Sequence, residues 1–281
     1  HLRTVHDADL DGDGDADVLS ASAGKVAWYE NLGGGTFGPQ QVLGLPSFVY
    51  SYAVSAADID GDGDLDVIAG GTNRDVLASP RNNVTWFENL GGGSFGPGQV
   101  IAEFEQLIWV VRAADLDGDG DPDVLSGGWD GLAWSENVGG GAFGPQQVLT
   151  SAYTQSVHAM DLDGDGDADV LSTYEGNDQV LWFENQGAGV FSPSQVVAAA
   201  PSRTASLYPT DLDGDGDPDV LFASGGWSSD EKIAWCENLG AGSLGPLQVI
   251  STEVDSPKSV FAADLDGDGD SDVLSTSRAD R

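Results

Sequence analysis

Residues 9–17 read DLDGDGDAD, and the nonapeptide returns as DIDGDGDLD at 58–66, DLDGDGDPD at 115–123, DLDGDGDAD at 161–169, DLDGDGDPD at 211–219 and DLDGDGDSD at 264–272. Successive starts lie 49, 57, 46, 50 and 53 residues apart. A period near 50 residues marks solenoids, propellers or arrays. Within the second copy an apolar segment (Tyr52 to Ala57) precedes the acidic loop. After it come a short apolar run (Val67 to Ala69), a variable loop, an alternating segment (Val84 to Glu88), a Gly-rich turn (Gly91 to Gly93) and a final segment ending at Gln99, Val100 and Ile101. Four short β-branched or aromatic runs separated by Gly, Asn, Asp and Pro predict a four-stranded antiparallel meander. Such a sheet has two apolar faces that one unit cannot cover, so successive units must pack on one another as propeller blades do.

The third predicted strand carries a second signature: Trp28-Tyr29-Glu30-Asn31, Trp86-Phe87-Glu88-Asn89, Trp134-Ser135-Glu136-Asn137, Trp182-Phe183-Glu184-Asn185 and Trp235-Cys236-Glu237-Asn238. A Gly-rich turn follows each, then Phe37, Phe95, Phe143, Phe191 or, departing from the pattern, Leu244. The Trp and Phe read as core between blades, and Glu-Asn as closing the hairpin between the third and fourth strands. A catalytic carboxyl pair needs one acid and one base in different environments. Residues repeated in every unit occupy equivalent ones, so the sequence reads as no enzyme.

Five Asp in each of six copies hold 30 of the 47 acidic residues. The formal net charge of −37 is therefore local, and the rest of the chain is only seven units negative. That charge excludes nucleic acid and anionic membranes as partners. At 281 residues, 40% hydrophobic and 9% aromatic, the chain is too apolar for a solvating acidic tail. No apolar run approaches the roughly 18 residues that span a bilayer, so no transmembrane segment is expected. The lone Cys236 excludes an intramolecular disulfide framework.

The pattern Asp-x-Asp-x-Asp-Gly-x-x-Asp offers calcium the six to eight oxygens it takes, from positions 1, 3, 5, 7 (a backbone carbonyl) and 9. In the first copy these are Asp9, Asp11, Asp13, the carbonyl of Asp15, and Asp17, with Gly14 at the sharp turn. Starting the loop at Asp11 instead would place Ala16, Leu65 or Pro122 at that turn, which fixes the register. The same reading gives Asp58, Asp60, Asp62, Asp64 and Asp66, then Asp115, Asp117, Asp119, Asp121 and Asp123. It continues with Asp161, Asp163, Asp165, Asp167 and Asp169, then Asp211, Asp213, Asp215, Asp217 and Asp219, and finally Asp264, Asp266, Asp268, Asp270 and Asp272. The side chains at position 7, from Asp15 to Asp270, are not needed as ligands. Ser20 stands where an EF-hand has its Glu, and strands flank the loop instead of helices. Five carboxylates in nine residues repel one another unless neutralised, and Mg²⁺ prefers fewer protein ligands, so about six Ca²⁺ sites are expected.

These loops and the Gly-rich Phe hairpins resemble the FG-GAP/VCBS-type repeats of integrin-α-like propellers and many bacterial surface proteins. The resemblance covers essentially the whole chain. It implies an all-β fold, a calcium-binding β-propeller of about six blades, with each Asp loop between the first and second strands. The family's functions are adhesion, lectin-like glycan binding and service as non-catalytic modules of secreted polysaccharide-active enzymes. Family and chemistry together favour an extracellular setting, where calcium replaces disulfides as the staple.

The expectation is thus a single propeller domain over 1–281, with blades near 1–48, 49–105, 106–151, 152–201, 202–254 and 255–281. Five blades are complete. The sixth has the segments Ser259 to Ala263 and Val273 to Ser275 and neither a Trp-x-Glu-Asn strand nor a fourth strand. Three readings stay open: a longer polypeptide, a two-stranded last blade, or an open edge pairing head-to-tail with another subunit, which could propagate a fibre. A partner protein or glycan is expected on the face of irregular connections, where Arg74, Arg81, Trp129, Tyr174 and Trp227 are the candidate contacts. The overall expectation is a structural, adhesive or assembly module, with a glycan-binding lectin as the alternative.

Overall fold

The computed structural model describes residues 2–22, 24–43, 48–73, 81–174, 179–199, 204–225 and 231–277. They are all strand, turn and loop, and they divide into two compact units: residues 1–115 with 119–151, and residues 116–118 with 152–281.

In the first unit, β1 (Leu2–Ala8), β2 (Asp17–Ser22), β3 (Lys25–Tyr29) and β4 (Gln41–Val42) form one antiparallel meander. β5 (Phe48–Ala57), β6 (Asp66–Asn73), β7 (Arg81–Phe87) and β8 (Gln99–Phe104) form the next. β9 (Ile108–Ala114), β10 (Asp123–Gly128), β11 (Gly131–Ser135) and β12 (Gln147–Thr150) form the third. In the second unit, β13 (Val157–Met160), β14 (Asp169–Tyr174), β15 (Gln179–Phe183) and β16 (Gln195–Ala199) precede β17 (Thr204–Thr210), β18 (Asp219–Ser224), β19 (Lys232–Cys236) and β20 (Gln248–Ser251). Two strands, β21 (Pro257–Ala263) and β22 (Asp272–Ser277), make the last sheet. Five four-stranded blades and a two-stranded sixth sheet, each with its Asp loop between the first two strands, give the β-propeller class that the repeat predicts.

The second strand β18 is buried along its whole length, because a sheet packs on each of its faces. Fourth strands such as β12 and β20 are largely exposed. The cores lie between consecutive sheets. Leu19, Val26 and Trp28 of the first meander meet Val54, Val67 and Phe87 of the second. Ile68, Val84 and Trp86 of the second meet Ile108, Val111 and Val124 of the third. In the other unit Leu171, Val180 and Trp182 pack with Leu207, Val220, Phe222 and Cys236. Leu221, Ala223 and Ile233 then pack with Val260 and Ala262 of the last sheet.

Register explains why the signatures recur. Leu19 pairs with Trp28, Ile68 with Trp86, Leu125 with Trp134, Leu171 with Trp182 and Leu221 with Trp235, so each Trp stands opposite a fully buried aliphatic of its own second strand. Asn31, Asn89, Asn137, Asn185 and Asn238 bridge Phe37, Phe95, Phe143, Phe191 and Leu244 across the Gly-rich turn. Leu244 takes the slot of the Phe and packs, partly buried, against the core.

Candidate functional site

The acidic loops are shaped by their own carboxylates. At position 1, Asp9 accepts backbone N–H bonds from Gly12 (2.8 Å) and Gly14 (3.0 Å), one on each oxygen. Asp13 accepts the N–H of Asp15 at 2.9 Å. The same bonds recur from Gly61 and Gly63 to Asp58, from Gly164 and Gly166 to Asp161, from Gly214 and Gly216 to Asp211, and from Gly267 and Gly269 to Asp264. Gly14 at position 6 has φ +95°, the left-handed geometry that the sequence reading assigned to it.

This winding also brings carboxylate oxygens close to one another. Asp9, Asp11 and Asp13 each offer a carboxylate oxygen within 4.8 Å of the others, as do Asp58, Asp60 and Asp62, and Asp115, Asp117 and Asp119. Asp161, Asp163 and Asp169, and Asp211, Asp213 and Asp219, converge in the same way. These clusters could hold metal ions: the donors are hard oxygens, several to a site, on a flexible loop. Burial raises the pKa of Asp11, Asp60 and Asp163 at position 3, and neighbouring carboxylates add to it. A cation bound among these carboxylates would act against that shift.

Position 9 does a second job that the spacing alone does not reveal. Asp17, Asp66, Asp123, Asp169 and Asp219 are fully buried. Asp66 accepts the N–H of Ile59 at 3.0 Å on one oxygen and of Asn89 at 2.7 Å on the other, tying the loop to the Trp-x-Glu-Asn strand of its own blade. Asp17, Asp169 and Asp219 make the equivalent pair of bonds. Burial pushes Asp66 and Asp169 up to about 6 against the opposing pull of these N–H groups, and raises Asp219 as well.

The Asn of the motif reaches further still. The amide of Asn89 donates to the carbonyl of Leu10 in the preceding loop (2.8 Å) and to Leu65 in its own (3.0 Å). Asn137 does so to Ile59 (2.7 Å) and Pro122 (3.2 Å), and Asn238 to Leu162 (2.9 Å) and Pro218 (3.3 Å). The sequence reading gave Asn to hairpin closure; the structure adds a clamp onto the previous loop, 76 to 79 residues away. The Asn itself recurs in all five motifs, which was the available signal. The position 7 side chains sit beside the Gly-rich turn of their own blade, where a Cβ built on Gly33 would stand 3.4 Å from Asp15 Oδ2 and one on Gly139 as close to Asp121.

Of the expected ligand-face residues, Arg74 and Trp227 lie outside the described residues, and Arg81 is placed only as the first residue of β7. Tyr174 ends β14 half-buried. Trp129 sits in the two-residue turn between β10 and β11 with 55% of its surface exposed, its backbone N–H donating to Leu107 O. Next to it, Glu103, Glu105, Asp130, Leu132 and Gln146 line a cavity of about 170 Å³. Cys236 is buried, and burial pushes its thiol up to about 11, which agrees with a packed thiol and not a nucleophile. Among the described residues no helix is long and apolar enough to cross a membrane.

The FG-GAP-like repeat model matches residues 9–69, 73–126, 115–172, 161–222 and 211–275. No curated protein matches the chain. Among solved structures, an Agrocybe aegerita lectin, described as recognising non-reducing terminal N-acetylglucosamine, superposes with a TM-score of 0.62 at 24% identity, over 89% of this chain and 66% of its own. The Tc holotoxin pore of Photorhabdus luminescens does so with 0.50 at 17% identity, over 97% of this chain and 13% of its own. The biofilm matrix protein Bap1 of V. cholerae gives 0.47 at 19%, over 92% and 44%. The chain thus spans less than two thirds of each of these proteins. Such identities speak for the fold alone, whereas the repeat model covers nearly every residue from Asp9 to Ser275: the chain belongs to the FG-GAP-like repeat family.

Proposed function

We propose that this protein is a non-catalytic, extracellular, calcium-binding β-propeller module with a structural or adhesive role, its loops holding about six Ca²⁺. The observation that carries this reading is the recurrence of one loop geometry, in which position 1 fixes two backbone N–H groups and carboxylate oxygens converge within 4.8 Å. Calcium suits a site of several carboxylates and a carbonyl, and a loop family of this kind fills where calcium is plentiful, outside the cell. Residues 1–281 are proposed as one domain, to be checked by whether calorimetry gives a single unfolding transition. Metal analysis of the purified protein, with melting curves before and after chelation, tests the central claim. Bound calcium and a chelator-sensitive melting temperature are expected; no bound calcium and an unchanged melting temperature overturn it.

A glycan-binding role is the second reading, favoured by exposed Trp129 beside the acidic cavity of Glu103, Glu105 and Asp130. An exposed indole offers a stacking face for a sugar ring and carboxylates accept its hydroxyls. The lectin with the same fold recognises a terminal N-acetylglucosamine. Glycan-array binding that Trp129→Ala abolishes would support this reading, and an array without signal would remove it.

A further inference from the structure

The first strand of each blade carries one position whose chemistry changes from copy to copy. In the first unit it is His6 in β1, Ser55 in β5 and Arg112 in β9. These pair with Leu19, Ile68 and Leu125, the buried aliphatics opposite each Trp, so register makes the three positions equivalent. Among the described strands each first strand pairs only with the second strand of its own blade, which leaves it at the sheet edge. β5 packs on both β1 and β9. Thr4 Oγ1 of β1 donates to Tyr52 O of β5 at 2.7 Å, and the Tyr52 ring meets Trp109 of β9 edge-on at 4.9 Å between centroids. His6, Ser55 and Arg112 thus form a row across three adjoining strands.

The second unit fills the equivalent positions with rings that pack on one another. His158 stands edge-on to Tyr208 at 5.9 Å, and Tyr208 lies tilted against Phe261 at 4.8 Å. The first unit instead holds two bases. Arg112 is half-buried, and among the described residues its guanidinium makes one hydrogen bond, to the carbonyl of its neighbour Val111 at 3.1 Å. Burial lowers its pKa, and no carboxylate among the described residues opposes that pull. Burial and then the charge of Arg112 hold His6 below the usual imidazole range, against the exposed Asp7 of its own strand. Acids outnumber Lys and Arg by 47 to 10 in this chain, yet this cation lacks the acid that would offset it. A guanidinium cannot shed its charge as a buried Lys does, so it is stabilised only by an anion brought to it.

We propose that Arg112, His6 and Ser55 form a binding site for a small oxyanion, a carboxylate or a sulfate. The planar guanidinium pairs two oxygens through its fork, and the imidazole and the Ser55 hydroxyl add donors from the adjoining strands. Such a group reaches the site as a free anion or as the acid of a sugar. The inference depends neither on which ion the loops hold nor on the glycan reading at Trp129.

The Asp loops begin three residues beyond each of these positions, so the test is run in excess calcium. Sulfate, acetate, glucuronate and glucose are titrated into the intact protein while the His6 ring signals are followed by NMR and the melting temperature is recorded. Sulfate and glucuronate should each give a saturable His6 shift and a higher melting temperature, and glucose neither. Arg112→Leu should weaken binding about tenfold or more, and Ser55→Ala by a smaller factor. Arg112→Lys keeps the charge without the fork and should also bind more weakly. With no anion added, Arg112→Leu should melt no lower than the parent, because it removes an unpaired charge. Glucuronate bound more tightly than acetate supports the site with a sugar acid as its ligand, and equal binding supports it with a free anion. The absence of a saturable shift with any anion overturns the proposal. So does an equal response in Arg112→Leu, which would place the anion at the calcium loops, or unchanged binding in both Arg112→Lys and Ser55→Ala.

Discussion

β18 and β22 are second strands of neighbouring sheets, reading DVLFAS and DVLSTS after nearly identical Asp loops, yet every residue of β18 is buried and most of β22 is exposed. The loops before them make the same local bonds: Gly214 and Gly216 to Asp211 at 2.7 and 3.0 Å, Gly267 and Gly269 to Asp264 at 2.7 and 3.0 Å. The comparison separates two kinds of order. Loop winding belongs to the nonapeptide and appears wherever it is written. Burial of the position 9 carboxylate belongs to the hairpin that closes over it, and Asp219 has one in Asn238 where Asp272 has none among the described residues.

Removing the metal should produce the largest effect. A ligand held a hundredfold above its dissociation constant stabilises by about 2.7 kcal/mol per site, and several sites act together. Chelation is expected to lower the melting temperature by more than about ten degrees, read by calorimetry. Among the six loops, that of 264–272 should release its ion first in a chelator titration, because only there is position 9 open to water. Acid should shrink the effect. Without a cation, the folded pKa of Asp66 and Asp169 lies near 6, above the unfolded carboxylate value. Their contribution is therefore fully present below the unfolded value and lost as pH rises through about 6. Stripped protein should thus gain stability between pH 7 and pH 5, while the calcium-loaded form loses ions to protons over the same range. Parallel curves for the two forms would refute this linkage.

Asp219→Ala and Asp272→Ala ask the comparison directly. The first leaves the N–H groups of Leu212 and Asn238 without their acceptor in a closed environment, at a cost of about 3 kcal/mol. Both remove a position 9 ligand oxygen, but the second leaves only the exposed Leu265 N–H without its acceptor and should cost about 1–2 kcal/mol less than the first. Both would be read from denaturant midpoints in excess calcium, and equal losses would mean that burial at position 9 contributes nothing. A smaller version uses the clamp: Asn238→Ala frees the carbonyls of Leu162 and Pro218 and should cost about 2 kcal/mol. Asn31→Ala, whose amide among the described residues reaches only Ala16 O in its own loop, should cost about 1 kcal/mol or less.

The part of this molecule that was legible in the sequence is the part that repeats locally. The loop register follows from Gly14 and its equivalents, and the meander from four short apolar runs, because both are settled within about fifty residues. The Asn clamp was not legible as such. Its acceptor lies in another repeat, on a backbone carbonyl that carries no side-chain signature, so the residue is visible while its partner is not. The same holds for Asp66, whose spacing marks it as a ligand position while its bonds to Ile59 and Asn89 show it fastening the loop to the third strand. The exposure of Leu274 is not legible in its own residues, since Asp-Val-Leu-Ser matches the buried copies; the difference is that no Trp-x-Glu-Asn strand pairs with it among the described residues.

The smallest expected effect concerns the turn that carries the clamp. In the first unit its middle residue is Gly34, Gly92 or Gly140, with φ between 60° and 62°, but in the second it is Ala188 or Ala241, held at φ 52° and 51°. An L-residue in this left-handed region costs roughly 1–2 kcal/mol, because Cβ crowds the following carbonyl oxygen. Glycine avoids that clash but gives back part of the gain through the greater freedom of its unfolded chain. Ala188→Gly and Ala241→Gly should each stabilise by about 0.5–1 kcal/mol, and additively, since the two turns belong to different blades. Because each turn follows the Asn that clamps the preceding loop, the gain should also slow hydrogen exchange at Asn185 and Asn238. A gain in stability without that slowing would place the strain in the turn alone and uncouple it from the clamp.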